Sequence, residues 1–137
     1  MAEPQDARVS IVVDASVLLA ILRNERGSDA AIEQAGGGFL SAVHFSEILA
    51  KASDRGIAAA AVLALVAELE LLVAPFDHDD ALAAAALRPF TIGKDISFAD
   101  RACLGVAHRR GLPVLTGDHD WVALDLDIDV RVFRDRS

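Results

Sequence analysis

The sequence predicts an α/β fold: a three-layer sandwich built on a central, mostly parallel sheet of about five strands. Short runs of β-branched and apolar residues alternate with longer segments whose apolar residues recur at helical spacing. This alternation is typical of parallel strands joined by crossover helices. The first run, from Val9 to Val13, is apolar enough for a strand buried on both faces. A chain of 137 residues without internal repeat or linker is expected to form one domain, residues 1–137.

Capping and turn residues mark where the predicted elements begin and end. Ser16 begins the first helix, and three glycines at 36–38 form a flexible turn after the second. Asp77 is the predicted N-cap of a later helix, which the segment 88–90 breaks at its proline. The predicted strands are 9–14, 39–42, 70–75, 114–116 and 128–133, and the last of them lies at a sheet edge. The predicted helices are 16–23, 28–35, 44–55, 57–69, 79–87 and 97–110. A turn or short helix is predicted at 121–124.

The longest unbroken apolar run, residues 57–67, is too short for a membrane span. It has eleven residues, whereas a spanning helix needs about 20. Such a helix is expected to be covered on both sides, by the core or by a partner subunit. Glu3 and Asp6 argue against a signal peptide, and the single Cys103 suits a reducing compartment. We therefore expect a cytoplasmic protein without contact to a membrane.

The net charge of −8 argues against a protein that coats nucleic acid non-specifically. It does not exclude a nuclease. A bound metal that neutralised four carboxylates would still leave the chain with a net charge of −8 + 4 = −4. Affinity for nucleic acid would then depend on local arginines and on the metal.

Four acids are predicted to meet at the carboxyl edge of the sheet, where open α/β sheets bind their ligands. Asp14 ends the first strand, and Asp118 follows the strand 114–116. Glu47 lies about one turn into the helix after the second strand, and Asp100 lies in the first turn of the helix that Ser97 begins. Clustered carboxylates repel one another unless a cation lies among them.

Each acid also has a structural interpretation. Asp14 is placed to cap a helix, and Glu47 is placed as a solvated charge favoured by the helix dipole. Asp100 matches a capping box with Ser97, although its carboxylate could still offer an oxygen outward. Asp118 matches turn chemistry, and Asp120 is a second, more distant candidate for the fourth acid.

A site of hard oxygen ligands selects Mg²⁺, with Mn²⁺ as an alternative. Such a metal can activate water and stabilise charge on a phosphodiester during in-line displacement. Ser16 is then expected to contact the metal or to hydrogen-bond a phosphate. The four histidines show no zinc-ligand spacing and no paired nucleophile; they are His44, His78, His108 and His119.

The ordered set of four motifs resembles a PIN domain, and most closely the VapC-type toxins of bacterial toxin–antitoxin pairs. The motifs are Val12-Val13-Asp14-Ala15-Ser16, Ser46-Glu47-Ile48-Leu49, residues 96–103 around Asp100, and residues 113–118 ending in Asp118. They cover nearly the whole chain in the expected order. Each motif alone is weak, but the ordered set is specific.

The resemblance implies a three-layer PIN-like fold and a magnesium-dependent endoribonuclease that inhibits translation by cleaving RNA. It implies that the four acids are catalytic and bind the metal, with Ser16 and Thr116 assisting. It also implies a homodimer and a cognate antitoxin whose tail covers the site. The sequence 118–120 offers two acids where relatives have one, so Asp118 and Asp120 both remain candidates for the fourth ligand.

Two other functions remain open on the sequence alone. One is a metal-dependent phosphatase with Asp14 as nucleophile, although that chemistry needs an acid two residues later and position 16 is Ser. The other is a PIN-fold interaction protein without catalysis, which predicts the loss of a site acid.

Overall fold

The computed structural model describes residues 10–136, which form a five-stranded, fully parallel sheet between layers of helices. The α/β sandwich expected from the sequence is thereby confirmed. The strands are β1 (Val12–Val13), β2 (Phe39–Ser41), β3 (Leu72–Ala74), β4 (Val114–Thr116) and β5 (Val130–Val132), and the helices are α1 (Ala15–Leu22), α2 (Ser28–Ala35), α3 (Ala42–Asp54), α4 (Ala59–Glu68), α5 (His78–Ala86), α6 (Arg88–Thr91) and α7 (Phe98–Arg110).

The strand order β3-β2-β1-β4-β5 places β1 at the centre of the sheet. Val12 pairs with Phe39 on one side and with Val114 on the other. The carboxyl ends of β2, β1 and β4 therefore lie side by side. The chain continues from β2 into α3, from β1 into Asp14 and from β4 into Gly117. The residues that follow these three strands therefore meet at the carboxyl edge of the sheet.

Alternate residues of the central strands supply two separate cores. Val13 and Leu115 belong to the core on one face of the sheet, and Val12 and Val114 to the core on the other. All four are fully buried, as expected for a parallel strand covered on both faces. Cys103 lies buried in the second core as a free thiol.

The helix boundaries follow the capping signals, with one exception. Asp77 caps α5 in a reciprocal capping box with Asp80, as the sequence predicts at the N-cap. The predicted helix 79–87 does end before residues 88–90, but these residues begin a separate short helix, α6, with Pro89 in its first turn. Proline is tolerated in a first turn because that position needs no backbone donor. The segment from His119 to Ala123 is a short 3₁₀ helix.

The chain itself covers only one side of α4. Val62 and Leu65 are buried, whereas Leu63 is 52% exposed together with several alanines of the helix. Residues 10–136 therefore do not supply the expected cover on the second side. Among the described residues, none of the helices has the length and apolar character required for a membrane span.

Gly38 permits a close approach between β2 and the chain that leads into β1. A Cβ atom at this position would lie 2.5 Å from the carbonyl oxygen of Ile11 and 3.0 Å from that of Ala35. The Ile11 carbonyl also accepts the backbone hydrogen bond from Phe39 that joins the two strands. The glycines at 36–38 therefore form more than a flexible turn.

We expect Gly38→Ala to destabilise the fold by about 1–3 kcal/mol, the usual cost of forcing an extra methyl into a packed site. Gly36→Ala is the matched control, because its Cβ would meet nothing closer than 4.0 Å, and it should change stability by no more than about 0.5 kcal/mol. Urea unfolding of both variants measures the difference. Equal stability of the two variants would contradict the steric role of Gly38.

Candidate active site and metal centre

Asp14 lies directly after β1 and is held by two hydroxyl groups. Its Oδ2 accepts hydrogen bonds from Ser16 Oγ at 2.6 Å and from Thr116 Oγ1 at 2.8 Å. The residue is only 5% exposed. Asp14 occupies the N-cap position of α1, but its side chain makes no capping hydrogen bond. The two hydroxyls fix one carboxylate oxygen and leave Oδ1 to face the neighbouring side chains.

Asp100 serves both as a helix cap and as a site residue. Its Oδ2 accepts from the backbone N–H of Ser97 at 3.0 Å, while the Ser97 hydroxyl accepts from the Asp100 N–H at 3.1 Å. This is the capping box that the sequence predicts. The second oxygen, Oδ1, lies 3.4 Å from Nε2 of His44. One carboxylate thus begins α7 with one oxygen and faces the site with the other.

His44 lies at the meeting point of three acids, in the first turn of α3. Its Nε2 is 3.4 Å from Asp100 Oδ1, 3.5 Å from Asp14 Oδ1 and 3.8 Å from Glu47 Oε1. Glu47 is one turn further along α3, is half-buried, and also lies 3.8 Å from the ammonium group of Lys51. The acids from β1, α3 and α7 are therefore brought together around one imidazole.

The electrostatics of this cluster shift the pKa values of two of its members. Burial alone would lower the pKa of His44, but the hydrogen bond to Asp100 and the charges of the surrounding acids raise it above the usual value. Burial alone would raise the pKa of Asp100, but the hydrogen bonds from His44 and Ser97 hold it below the usual range. Both shifts favour the charged forms, so the imidazolium partly offsets the repulsion between the carboxylates.

His44 was not predicted as a site residue, because the sequence pattern of the histidines was compared only with zinc-ligand spacing. A usable signal was present. His44 and Glu47 are three positions apart in the helix after the second strand, so both lie on one helix face. The location of that face next to Asp14 depends on the strand order, which local sequence patterns do not give.

Asp118 and Asp120 follow β4, and only Asp118 is connected to Asp14 through a shared hydrogen-bond partner, Thr116. The Asp118 N–H donates to Thr116 Oγ1 at 3.0 Å, and this hydroxyl in turn binds Asp14. The Asp118 side chain accepts from the Asp120 N–H at 2.9 Å and caps the 3₁₀ helix, so the expected turn chemistry is present. The Asp120 side chain is 84% exposed and lies 3.8 Å from Arg136. Within residues 10–136, no hydrogen bond or ion pair joins either carboxylate to the other three acids.

Comparison with known proteins identifies the fold family. The PIN domain family model matches residues 11–126. The chain belongs to the PIN domain family. The resemblance inferred from the four motifs is thereby confirmed. A sequence comparison with curated proteins gave no match.

Solved structures of toxin–antitoxin proteins share this PIN fold. A toxin–antitoxin complex from Klebsiella pneumoniae is 18% identical over 93% of this chain and 100% of that chain, with a TM-score of 0.73. VapBC-5 from Mycobacterium tuberculosis is 27% identical over 93% of this chain and 99% of that chain, with a TM-score of 0.62. VapC20 from the same organism, a toxin that cleaves the sarcin–ricin loop, is 20% identical over 83% of this chain and 94% of that chain, with a TM-score of 0.67.

The donor set of this PIN domain fits a divalent cation. Three carboxylates from separate elements converge beside a buried imidazole whose Nδ1 has no hydrogen-bond partner among the described residues. Hard divalent cations bind carboxylate oxygens, and such a cation would relieve the remaining repulsion. The Cys103 sulfur also lies within 4.8 Å of ligand atoms of Asp14 and His44. Burial and the nearby acids raise the pKa of this thiol well above its usual value, so it stays protonated and is a poor ligand.

Basic side chains line the surface beside the acids of this PIN domain. One groove starts at Ser16 and is lined by Arg23, Lys51, Arg55 and Arg134, with Glu25 and Asp54 as its acids. A second groove also starts at Ser16 and is lined by Arg26, Arg134 and Arg136 opposite acids that include Asp118 and Asp120. We call the cationic residues of the first groove the basic wall. The first groove has four cationic residues against two acids, and Glu25 pairs with both Arg23 and Arg134. The second groove balances its three arginines with three acids.

Proposed function

We propose that this PIN domain is a Mg²⁺-dependent endoribonuclease, with Mn²⁺ as a substitute, and acts as the toxin of a VapBC-type toxin–antitoxin pair that inhibits translation. The observation that carries the proposal is the convergence of Asp14, Glu47 and Asp100 at the carboxyl edge of the sheet. A cluster of this kind is suited to a hard cation, and the family match gives it the context of a nuclease fold.

Each residue of the site has a proposed role in the hydrolysis. A bound divalent cation would supply a water activated for attack and stabilise charge on the phosphodiester. Asp14, held in one orientation by Ser16 and Thr116, and Asp100, anchored by its capping box, would be the main ligands. Glu47 and Asp118 would complete the set. Asp120 is kept as an alternative fourth acid.

The proposed partners follow from the related proteins, from the basic wall and from the exposed side of α4. VapC20 is described as a toxin that cleaves the sarcin–ricin loop, and the Klebsiella protein as part of a toxin–antitoxin complex. We propose RNA as the substrate, a cognate antitoxin as regulator, and the cytoplasm as the location. We further propose a homodimer that covers the exposed side of α4 around Leu63. Light scattering should then give twice the chain mass, and a monomer at all concentrations would contradict the dimer.

Incubation of the purified chain with labelled RNA tests the proposed activity. We expect cleavage with Mg²⁺ or Mn²⁺ and none in chelator, because the cation supplies the activated water. A phosphate monoester is the matched control substrate. Hydrolysis of the monoester without RNA cleavage would favour the phosphatase alternative. Failure to cleave any RNA, with metal binding intact, would favour the interaction protein.

The basic wall should determine how strongly RNA binds and how binding depends on salt. Replacing both Arg23 and Arg55 by Gln should weaken RNA binding and reduce the slope of log K against log salt by about 0.7 for each phosphate that is no longer neutralised. Arg88→Gln/Arg131→Gln is the matched control, because it removes the same charge outside the two grooves. Binding isotherms at several salt concentrations measure the slopes. The same slope in both double variants would contradict a role for the basic wall.

A further inference from the structure

His44 is a fully buried residue whose ring makes no short hydrogen bond within the described part of the chain. Nε2 lies 3.4–3.8 Å from three carboxylate oxygens, and Nδ1 has no partner there. A good N–H···O hydrogen bond measures 2.7–3.2 Å. Nε2 is therefore the ring nitrogen that faces the three carboxylates, and it holds none of them by a short hydrogen bond.

The distances around Nε2 are those expected between ligands of one cation. Two ligand atoms that each lie about 2.1 Å from a cation, at angles of about 90–109°, are roughly 3.0–3.4 Å apart. The separation of Nε2 from Asp100 Oδ1 is 3.4 Å, at the upper end of this range, and its separation from Asp14 Oδ1 is 3.5 Å, just above it. Nε2 therefore lies close enough to each of these two carboxylates to share an ion with it.

The fold holds the ring in this position. His44 lies in the first turn of α3, whose N-cap Ser41 accepts a hydrogen bond from the Val43 N–H at 3.2 Å. The side chain of His44 is 0% exposed, so the surrounding core prevents it from turning towards solvent. Glu47 follows on the same helix face. One rigid helix therefore presents a nitrogen and an oxygen donor to the same point.

We propose that Nε2 of His44 is a metal ligand, so that the centre combines imidazole nitrogen with carboxylate oxygen and prefers Mn²⁺ or another first-row transition ion to Mg²⁺. This inference rests on the proposed metal-dependent function. Imidazole suits transition metals, whereas Mg²⁺ favours carboxylate oxygen and keeps several waters. A nitrogen donor therefore adds more to the affinity for a transition ion than to the affinity for Mg²⁺.

Pulsed electron paramagnetic resonance of bound Mn²⁺ tests the ligand directly and without reference to activity. The metal-free protein is loaded with one equivalent of Mn²⁺, once with natural nitrogen and once with ¹⁵N-histidine. We expect a ¹⁴N coupling in the first sample that ¹⁵N-histidine replaces in the second, and its loss in His44→Asn. His78→Asn is the control that keeps the coupling, because the side chain of His78 is 83% exposed and lies on α5.

Titrations with Mn²⁺ alone and Mg²⁺ alone test the preference. His44→Asn should lower the affinity for Mn²⁺ by at least about tenfold, the effect typical of removing even the hydrogen-bonding support of a metal ligand, with a smaller loss for Mg²⁺. If His44→Asn does not fold, His44→Gln replaces it in the titrations. The comparison of natural nitrogen with ¹⁵N-histidine uses the wild-type protein and needs no variant.

The possible results separate the ligand role of His44 from the proposed function. Bound Mn²⁺ without histidine coupling, or with a coupling that persists in His44→Asn, overturns the ligand role and leaves the nuclease proposal standing. Equal losses of Mn²⁺ and Mg²⁺ affinity overturn the metal preference. A wild-type protein that binds neither ion overturns both the ligand role and the proposed metal requirement.

Discussion

Asp14→Asn is expected to lower RNA cleavage by about a thousandfold, equivalent to roughly 4 kcal/mol in the activation free energy. The substitution keeps the size of the side chain and an oxygen that can accept from Ser16 and Thr116. It removes the charge that would hold the cation, and with it most of the rate that the cation supplies. Single-turnover cleavage of labelled RNA by wild type and variant measures the loss.

Asp127→Asn is the matched control for this experiment, because Asp127 lies on an exposed loop outside the site. It should cleave RNA at the wild-type rate. Circular dichroism and melting curves establish that each variant is folded. Comparing Asp118→Asn with Asp120→Asn then identifies the fourth acid, since only one of them should lose most activity. Wild-type activity in Asp14→Asn, with contaminating nuclease excluded, would contradict the site assignment.

Mn²⁺ is expected to stabilise the wild-type fold strongly and the Asp14→Asn variant much less. A ligand that binds only the folded state adds about 2.7 kcal/mol at a hundredfold excess over its dissociation constant. For a chain of this size the gain corresponds to a rise in Tm of roughly 5–10 °C. The variant lacks a ligand and should lose most of this rise. Thermal unfolding in chelator and in Mn²⁺ measures both shifts.

Thermal unfolding of Asp100→Asn in chelator measures how much the Asp100 charge contributes to stability in the absence of metal. The folded state lowers the pKa of Asp100, so its charged form adds stability above the usual carboxylate pKa and loses it as the pH falls. At neutral pH the variant should therefore be less stable than wild type even in chelator. Equal metal-induced shifts in wild type, Asp14→Asn and Asp100→Asn would show that these acids do not bind the ion.

Much of the fold could be predicted from the sequence because its signals are local. The uninterrupted β-branched run before Asp14 identified a strand buried on both faces, and the Ser97–Asp100 pair identified the start of α7. The short helix α6 was not predicted, since Pro89 lies in the first turn, where proline is compatible with a helix. The sequence predicts that α4 needs cover from the core or from a partner subunit, but not which of its sides the core leaves exposed, because that depends on which elements pack against it.

The candidate site was predicted in part. Asp14 and Asp100 could be predicted because each follows a recognisable strand or cap. His44 could not, since its role depends on the alignment of β2 and α3 beside β1. The charge balance of the site therefore differs from the one that the sequence suggests. The sequence suggests carboxylates with unrelieved repulsion in the absence of metal, whereas the imidazole among them compensates part of their charge.

Anomalous diffraction from crystals soaked in Mn²⁺ tests the central claim most directly, because it locates the ion without relying on activity or on a variant. We expect a strong anomalous peak at bonding distance from the carboxylates of Asp14 and Asp100, at the carboxyl edge of the sheet. A saturated crystal with no peak at these carboxylates, or with Mn²⁺ only at acids elsewhere on the chain, would contradict the proposed metal centre.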